Sequence, residues 1–500
     1  MTDTHSLPQG WVWTKLGDIC KKSQYGWTTK ATNEGNLHLL RTTDITSGSI
    51  NWETVPFCSK EPENKEKYLL KDGDILISRA GSVGYSYLIQ NPDEAVFASY
   101  LIRFKPINVN PRYLAFFLQS PDYWQAISEK KLGIAIPNVN ATKLSDIDLP
   151  LPPLTEQQRI VAKVEELFTQ LDAGVAELQQ AIAKLGRYRQ AVLKAAVEGE
   201  LTREWREAHQ EELEPASELL ERILQERREK WEQGELAKMQ AKGKESKDDK
   251  WKAKYKEPAP PDMDGLPQLP EGWVWAVPEQ LASPEKYSLA IGPFGSNLKV
   301  SDYTDEGVPL VFVRNIRSGV FDGPDTRFVS DVKAEELKAH QVVGDDILIT
   351  KMGEPPGDAC LYPTTRPSAI ITADCVKWTL TEHLPAKRFF VHAVNSALIR
   401  SQIIKITKGV AQKKISLTRF KTIAIPVPPI AEQEIIAAKV ERRMSVADEI
   451  EEEIDQALAR AEWMRQAILK RAFEGKLVEQ HPEDGNAVEL IEKINSSKQY

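Results

Sequence analysis

Two short apolar runs in this sequence end in a hydroxyl residue followed by a basic one. The run Gly-Asp-Ile-Leu-Ile-Ser-Arg at 73–79 returns as Asp-Asp-Ile-Leu-Ile-Thr-Lys at 345–351. Both runs are typical of β-strands, so the polar pairs stand at predicted strand ends. Hydroxyl, amide and basic side chains in such loops suit contacts to phosphates and to base edges. The candidate contact residues are Arg41, Thr43, Ser78, Arg79, Lys130, Lys131, Asn138, Asn140, Arg314, Asn315, Arg317, Thr350, Lys351, Gln412, Lys413, Lys414 and Arg419.

Each half of the chain also has a basic or polar loop upstream of a Pro-Pro pair, at 130–140 and at 408–419. Gly133 and Gly409 fall 276 positions apart, but the residues around them differ. A single loop arginine is usually only a solvated surface residue. The two loops occupy equivalent places but differ in sequence. This is nevertheless the pattern expected of two domains that each recognise a different half of a DNA target.

Catalytic motifs are absent from the sequence. There is no G-x-x-x-x-G-K-[ST] for ATP, no G-x-G-x-x-G for a dinucleotide, no H-E-x-x-H, and no nucleophile elbow. The run Asn-Pro-Arg-Tyr at 110–113 resembles the Asn-Pro-Pro-Tyr loop of amino-methyltransferases, but arginine replaces the second proline and no glycine-rich loop precedes it. We interpret Asp345 and Asp346 as solvated carboxylates. The sequence favours binding over catalysis.

Composition narrows the class of protein further. The chain has 500 residues, 41% of them hydrophobic, which is enough for about three domains. A net charge of -8 excludes a uniformly basic nucleic-acid coat but allows a local basic face. No run of about 18 apolar residues occurs and residues 1–5 are polar, so a cytoplasmic protein is predicted. The four cysteines form no C-x-x-C pair and are expected to be small buried residues.

A long internal repeat dominates the sequence. Leu-Pro-Gln-Gly-Trp-Val-Trp at 7–13 returns as Leu-Pro-Glu-Gly-Trp-Val-Trp at 269–275. Pro-Leu-Pro-Pro-Leu-Thr-Glu-Gln at 150–157 returns as Pro-Val-Pro-Pro-Ile-Ala-Glu-Gln 276 positions later, and Arg-Gln-Ala-Val-Leu-Lys at 189–194 recurs at the same shift. The interiors, 21–140 and 282–416, barely align. This distribution predicts one scaffold that carries two divergent recognition regions.

A long helix is predicted after each Pro-Pro pair, the first of them opened by a capping box of Thr155 and Gln158. Apolar residues recur every seven positions in both helices, which predicts a coiled-coil-like pairing. A companion seam runs through positions such as Tyr188, Ile450 and Met464. The alternative is that each helix lies on its own domain. The predicted helix-pairing residues are Val164, Leu171, Leu178, Leu185 and Val192 in the first helix, and Val440, Ile454 and Ile468 in the second.

These patterns predict an α+β fold with two mixed α/β target-recognition domains related by a pseudo-two-fold repeat. Two long antiparallel coiled-coil-like helices of about 60 Å would separate them. The segment 203–257 is rich in both charges; a short amphipathic helix is expected after Pro215 and a solvated linker at 242–256. The predicted segments are a first recognition domain at 1–150, a first helix at 151–202, a connector at 203–262, a second recognition domain at 263–426, a second helix at 427–480 and a tail at 481–500.

The repeated motifs, with the run Ile-Gly-Pro-Phe-Gly-Ser at 291–296, resemble the DNA specificity subunit of type I restriction-modification systems over nearly the whole chain. The resemblance implies a non-catalytic subunit that binds double-stranded DNA and reads a bipartite asymmetric target, one half with each domain. It implies partnership with two modification subunits and two restriction subunits, on which S-adenosylmethionine, ATP and Mg would bind, and no cofactor on this chain. No membrane partner is expected. Two alternatives remain open at this point, a repeat scaffold that binds proteins without reading DNA, and an enzyme.

Overall fold

The computed structural model describes residues 7–46, 48–131, 138–243, 248–407 and 413–498. The chain divides into two compact units. Unit 1 consists of Met1–Gln180 with Glu453–Tyr500, and unit 2 consists of Ala181–Glu452. Each unit therefore contains one mixed domain and a part of each long helix.

The described strands of unit 1 form three small sheets. They are β1 Val12–Lys15, β2 Gln24–Tyr25, β3 Ala31–Thr32, β4 His38–Leu40, β5 Phe57–Cys58, β6 Ile75–Ser78, β7 Ser86–Leu88, β8 Ala95–Phe97, β9 Leu101–Phe104 and β10 Asp148–Leu151. β1 pairs antiparallel with β10, so the opening motif lies beside the strand that precedes the long helix. The other sheets have the orders β2-β9-β6-β7 and β3-β5-β4-β8, with β4 and β8 parallel.

Unit 2 has the same three kinds of sheet. Its described strands are β11 Val274–Ala276, β12 Leu289–Ile291, β13 Val308–Val311, β14 Phe328–Val329, β15 Gln341–Val342, β16 Ile347–Thr350, β17 Ala359–Leu361, β18 Ala369–Ile371, β19 Cys375–Trp378 and β20 Ile425–Val427. β11 pairs with β20, and the four-stranded sheets have the orders β12-β19-β16-β17 and β14-β13-β18-β15. β13 and β18 are the parallel pair. The predicted repeat of mixed domains is confirmed, and it extends through interiors whose sequences barely align.

The described helices range from single turns to 44 residues. They are α1 Thr42–Ile45, α2 Lys65–Tyr68, α3 Pro111–Phe117, α4 Pro121–Lys131, α5 Ala141–Ser145, α6 Leu154–Val197, α7 Arg203–Ala208, α8 Ala216–Ala241, α9 Pro278–Leu281, α10 Asp331–Glu336, α11 Lys387–Asn395, α12 Ala397–Ile406, α13 Leu417–Phe420, α14 Ile430–Phe473 and α15 Ala487–Lys498. α6 and α14 are the two long helices predicted from the heptads. Since α6 begins at Leu154, the predicted capping box is wrong: the Thr155 hydroxyl donates instead to Asp484 at 2.8 Å.

Within each unit the segments of α6 and α14 run antiparallel. In unit 2, Arg189 on α6 donates to Asp448 on α14 at 2.5 Å, while Lys439 Nζ donates to the carbonyl of Leu201 just past the end of α6. As the residue number rises from 189 to 201 on α6 and just past its end, the number of the contacted residue on α14 falls from 448 to 439. The two segments therefore run in opposite directions. In unit 1, Arg465 forms an ion pair with Asp172. The two pairs are equivalent at the 276 shift, so the repeat predicted from sequence is also a repeat of contacts.

The predicted seam is buried unevenly. Val164 and Val192 are buried at the two ends of α6, and Val440 and Ile454 are buried on α14. The middle seam residues of α6 and the last seam residue of α14 are only half-buried, namely Leu171, Leu178, Leu185 and Ile468. The companion positions are exposed, at 42% for Tyr188, 45% for Ile450 and 49% for Met464. The predicted seam is thus buried within each unit at Val164, Val192, Val440 and Ile454, and the second row expected from the heptads is wrong at the three exposed positions.

The amphipathic helix predicted after Pro215 is confirmed, and it has a second copy near the end of the chain that was not predicted. Residues 216–223, Ala-Ser-Glu-Leu-Leu-Glu-Arg-Ile, begin α8, and 487–494, Ala-Val-Glu-Leu-Ile-Glu-Lys-Ile, form most of α15. The amide of Ala216 donates to Gly272 at 2.8 Å and that of Ala487 to Gly10 at 2.9 Å. Each helix therefore closes onto the opening motif of the recognition domain in its own unit.

The ends of the long helices contact the same opening motifs. Gly199 after α6 has φ +75° and Gly475 after α14 has φ +67°, the left-handed conformation that favours glycine at a helix end. A Cβ at Gly199 would overlap Pro270, and one at Gly475 would overlap Pro8. Glycine is required at both positions because the proline ring fills the space where a side chain would go.

The connector is more ordered than the predicted solvated linker. α8 extends to Ala241, and a 3-10 helix at Asp249–Lys254 follows. Trp251 is buried and stacks on Trp231 of α8 with ring centroids 6.0 Å apart, and Tyr255 packs on the same ring at 5.4 Å. The expectation for 242–256 is therefore wrong around Trp251, because aromatic burial outweighs the solvation of the charged residues.

Two carboxylates that begin equivalent strands are structural. Asp74 lies before β6 and forms a buried ion pair with Arg103 at 3.2 Å. Asp346 lies before β16, is 2% exposed, and accepts from the Val343 amide at 2.9 Å. Burial raises the pKa of Asp346 because it disfavours the charged form. The interpretation of Asp346 as a solvated carboxylate is wrong.

Asp484 binds the C-terminal segment to α6, and its contribution to the stability of the fold should depend on pH. Its carboxylate accepts from both terminal nitrogens of Arg159, at 2.7 and 2.5 Å, and these bonds hold the pKa of Asp484 well below its usual range. A depressed pKa in the folded state stabilises the fold above the unfolded pKa of about 4, and this stabilisation is lost as the pH falls through the folded value. We expect Asp484→Asn to lower the free energy of unfolding by about 1–3 kcal/mol at pH 7.

The difference between Asp484→Asn and the wild type should shrink in denaturant unfolding as the pH falls below about 4. Glu483→Gln is the matched control, because that side chain is 78% exposed. An equal difference at pH 7 and pH 3 would contradict the assignment.

Across the residues that the structure describes, no helix combines the length and the apolar character needed to cross a membrane.

Candidate nucleic-acid interface

The hydroxyl residues at the ends of β6 and β16 point inward. Ser78 is buried and its hydroxyl donates to the carbonyl of Ser82. Thr350 is 3% exposed and its hydroxyl accepts from the amides of Gly357 and Asp358, both at 2.9 Å. These bonds shape the turns that follow the strands. Ser78 and Thr350 are thus turn-forming residues, a correction to their assignment as contact residues.

Asn315 is a third buried side chain among the candidates. Its Oδ1 accepts from the Phe312 amide at 2.9 Å and its Nδ2 donates to the carbonyl of Asp322 at 3.0 Å. Both ends of the amide are satisfied inside the domain. Asn315 therefore stabilises the loop after β13 and does not face a ligand.

In unit 1 the loop that holds two further candidates, Asn138 and Asn140, lies beside Arg79. A bridge between Ala80 and Asn138 joins the loop after β6 to the loop before α5, and Arg79 Nε donates to Asn138 Oδ1 at 3.4 Å. The Arg79 guanidinium lies over the ring of Tyr25, 5.0 Å from its centroid, and the Arg79 amide donates to the carbonyl of Tyr100. We call the surface formed by Tyr25, Arg79, Tyr100, Asn138 and Asn140 platform 1.

Platform 1 offers the three kinds of contact that a nucleic acid takes. Tyr25 is 39% and Tyr100 62% exposed, so their rings are available for stacking or apolar contact. Arg79 supplies a planar cation that lies over the ring of Tyr25. Asn138 supplies an amide. Asn140 is exposed, but its Oδ1 already accepts from the Lys143 amide at 2.8 Å as the N-cap of α5, so its remaining contribution is an amide donor.

Unit 2 assembles an equivalent surface from different residues. Met352 bridges to Lys414, and the Ile415 amide donates to the carbonyl of Lys351, in the way that Val139 donates to Arg79. Lys414 lies 3.6 Å from Asp374, whose carbonyl accepts from the Lys351 amide.

The loop after β12 approaches the same segment. Gly292 donates to Cys375, and a Cβ at Gly292 would overlap the carbonyl of Thr372. Phe294, two residues on, is 70% exposed. We call the surface formed by Phe294, Lys351, Lys413 and Lys414 platform 2. It carries lysines and one phenylalanine where platform 1 carries an arginine, amides and tyrosines.

Arg41 and Arg314 follow equivalent strands and reach equivalent edges. β4 and β8 are parallel, so their carboxyl ends meet at one edge, where Arg41 follows β4 and Tyr100 follows β8. Arg314 lies three residues beyond the end of β13, in the 3-10 helix Val313–Asn315. Arg41 is held by Asp44, with Nη2 to Oδ1 at 2.8 Å, and Arg314 lies over the ring of Phe312. Both can extend the platforms along this edge.

The other candidates are dispersed. Thr43 and Arg317 are exposed, Lys130 lies 3.5 Å from Asp146, and Arg419 donates to the carbonyl of Ile406 at 3.1 Å. Lys413 is exposed on platform 2, 3.7 Å from Glu354. Gln412 and the side chain of Lys131 lie outside the described residues, as do Gly133 and Gly409.

Three aromatic residues of the platforms were not predicted from sequence, namely Tyr25, Tyr100 and Phe294. Tyr25 ends the short strand β2 and Phe294 follows β12, and each directly precedes a glycine. An aromatic residue directly before a glycine was the available sequence signal.

Comparison with known proteins identifies relatives along the chain. The family model described as the type I restriction modification DNA specificity domain matches residues 8–183 and 314–460. The specificity subunit of the type I restriction enzyme EcoKI from Escherichia coli K12 is 26% identical, covering 98% of this chain and 96% of that protein. The EcoBI specificity subunit from Escherichia coli is 24% identical, covering 99% and 93%. A solved structure described by its assembly within a type I R-M system superposes with a TM-score of 0.63 at 17% identity, over 94% of this chain and 99% of that one.

Proposed function

This chain belongs to the family of type I restriction-modification DNA specificity domains, and we propose that platforms 1 and 2 each read one half of a bipartite asymmetric target in double-stranded DNA. As a specificity subunit it is the sequence-recognition component and not the catalytic one. Recognition would direct adenine methylation or ATP-dependent cleavage carried out by partner subunits. The recognition domains are taken as 1–150 and 263–426.

One observation carries the proposal. The two units share the order of one four-stranded sheet, β2-β9-β6-β7 and β12-β19-β16-β17, the hydrogen bond from Val139 or Ile415 and the bridge at Ala80 or Met352, yet the side chains presented at those places differ in kind. A common backbone with different exposed groups is what recognition of two different base sequences requires, because base edges are distinguished by donor and acceptor pattern.

The partners follow from the family. We propose that two modification subunits bind this chain and hold S-adenosylmethionine, and that two restriction subunits hold ATP and Mg. The four cysteines are buried, so they offer no exposed thiol for a ligand. This chain then contributes base reading and the placement of the methyltransferases.

The test is genome-wide mapping of methyladenine in a host that expresses this chain with its modification subunit, compared with a host that lacks the chain. A new asymmetric motif in two parts separated by an unread spacer is expected. Purified complex without any new motif would favour a protein-binding scaffold that does not read DNA.

Reversing the charges of Lys413 and Lys414 should weaken DNA binding by the assembled complex. Removing one lysine–phosphate interaction should reduce the slope of log K against log salt concentration by about 0.9. DNA binding by the complex that carries Lys413→Glu and Lys414→Glu is measured by fluorescence anisotropy at several salt concentrations. The control reverses Lys333 on α10 and Lys338 just after this helix, because α10 follows β14, which places it at the opposite end of β13 from Arg314. Equal effects of the two double variants would exclude this loop from the interface.

A further inference from the structure

The Arg79 guanidinium is held on platform 1 by contacts that do not use its terminal nitrogens. It lies over the Tyr25 ring, 5.0 Å from the centroid, and its Nε donates to Asn138 Oδ1 at 3.4 Å. Among the residues that the structure describes, none accepts a hydrogen bond from Nη1 or Nη2. Arg79 therefore presents a planar pair of N–H donors that the chain itself leaves unused.

The groups that hold Arg79 are themselves fixed. The Tyr25 hydroxyl accepts from the Ala141 amide at 3.0 Å. Gly26, the next residue, packs so closely against the end of β8 that a Cβ there would overlap two backbone carbonyls. On the loop that carries the second partner, the Val139 amide donates to the Arg79 carbonyl at 3.1 Å. The guanidinium is thus preorganised, so little conformational entropy is lost when its free donors find acceptors.

Two neighbouring donors on one planar group require two neighbouring acceptors. In the major groove guanine is the base that offers two acceptors, O6 and N7, on a single edge. Adenine places a donor beside its acceptor, cytosine offers a donor, and thymine offers one acceptor next to a methyl group. A phosphate also offers two oxygens to an arginine, so the DNA backbone is the competing partner.

The equivalent positions of unit 2 favour a base over a phosphate. Arg79 corresponds to Lys351, whose Nζ donates to the carbonyl of Ala373 at 3.0 Å. The neighbours change as well: the positions equivalent to Tyr25, Tyr100 and Asn138 hold Ile291, Asp374 and Lys414. Phosphates are the same in every DNA sequence, so a phosphate contact gives no reason for the whole set to differ. A base contact does, because the two halves of an asymmetric target present different base edges.

We propose that Arg79 reads a guanine in the half-site of platform 1, donating from its two terminal nitrogens to O6 and N7 of that base. Tyr25 and Asn138 are positioning residues that hold the guanidinium for this contact. The inference rests on the proposed function, since it takes the DNA target from there. It adds the identity of one base, the atoms that recognise it and the unit that carries the contact.

Removing the guanidinium should relax the target at one base pair. Methyladenine is mapped in hosts that express the modification subunit with the wild-type chain or with Arg79→Ala. The variant should discriminate on the order of 10- to 100-fold less at one guanine of one half-site, with the other half unchanged. Lys163→Ala is the control, because it removes a positive charge from α6 of the same unit, where Lys163 pairs with Glu166 at 2.9 Å. An Arg79→Ala motif that still requires every base would overturn the proposal.

A modified base tests the same contact with the protein unchanged. In duplexes that carry the mapped target, 7-deazaguanine replaces the guanines one at a time, which removes the N7 acceptor and keeps the pairing with cytosine. Binding by the wild-type complex, followed by fluorescence anisotropy, should weaken about 10-fold at one guanine of the half-site of platform 1. At that position the Arg79→Ala complex should bind guanine and 7-deazaguanine equally. Wild-type binding that is unaffected at every guanine of this half-site would overturn the proposal, whether or not Arg79→Ala folds.

A phosphate contact predicts a different pattern. Arg79→Ala would then weaken binding to every DNA sequence equally, reduce the slope of log K against log salt concentration by about 0.9, and leave the motif unchanged. That result would overturn the assignment of a base to Arg79. A wild-type complex that yields no methylated motif would instead contradict the proposed function itself.

Discussion

Exchanging the interior of the first recognition domain for that of another family member should change one half of the methylated motif and leave the other half intact. Residues 21–140 carry all of platform 1, and the described sheets of unit 1 contain no strand from 181–452. The expected effect is complete replacement of one half-site, because the exposed groups that face the bases are replaced together.

The exchange needs three residues of the native chain to be kept. Tyr113 and Ser120 are fully buried where α3 and α4 meet the rest of unit 1, and Arg112 forms an ion pair with Glu165 of α6. Replacing them would disturb the scaffold and confuse loss of folding with change of specificity. Methyladenine mapping then reads both halves of the motif in one experiment.

The reciprocal exchange of 282–416, with Arg388, Phe389 and Ser396 retained, is the matched control and should change only the other half. A motif in which both halves change after a single exchange would show that the two domains do not read independently. An unchanged motif would place base reading outside the platforms.

The repeat and the long helices could be predicted from sequence because their signals are local or periodic. Pro-Pro pairs exclude helix upstream of Leu154 and Ile430, and apolar residues every seven positions mark the helices themselves. The repeated runs at 7–13 and 269–275 lead into β1 and β11, which pair with the strands that overlap the runs at 150–157 and 426–433. The most similar parts of the repeat therefore contact each other.

The platforms could be predicted only in part, because side chains far apart in sequence form them. Arg79 was found from its equivalence to Lys351, whereas Tyr25 and Tyr100 join it only through the crossing of β2, β6 and β9. The sequence around Ser78 does not show whether its side chain points inward or outward. In the structure the hydroxyl points inward because it donates a hydrogen bond to the carbonyl of Ser82. The start of α15 repeats that of α8 over only eight residues, at a shift of 271 instead of 276, so a search at one fixed shift does not find it.

Removing Arg206 should destabilise unit 2 more than any surface substitution in that unit. Glu432 is fully buried at the start of α14, and its carboxylate accepts from Arg206 at 2.5 Å, from Thr202 at 2.6 Å and from Trp273 at 2.7 Å. Arg206 is the cationic partner in this set, with a side chain only 13% exposed.

Arg206→Ala leaves a buried carboxylate without its cation, a change that typically costs about 3–5 kcal/mol. The free energy of unfolding, followed by tryptophan fluorescence in denaturant, should fall by that amount. Arg203→Ala is the control in the same helix: its pair with Glu200 is about half exposed on both sides, so a loss below about 1 kcal/mol is expected. Equal losses for the two variants would contradict the role of Arg206.

A second substitution separates charge from packing at this site. If the cost of Arg206→Ala comes from the unpaired charge of Glu432, adding Glu432→Gln should recover part of the lost stability, because a neutral amide is less costly to bury than a carboxylate. If the cost comes from the space left by the arginine, the double variant should be no more stable than the single one.

Unit 1 offers an internal comparison, since Glu156 accepts from Trp11 at 2.9 Å while proline stands at 482, the position equivalent to Arg206. Burial raises the pKa of Glu156, so this carboxylate is easier to protonate. We therefore expect Glu156→Gln to cost unit 1 less stability than Glu432→Gln alone costs unit 2, because only the second substitution gives up an ion pair.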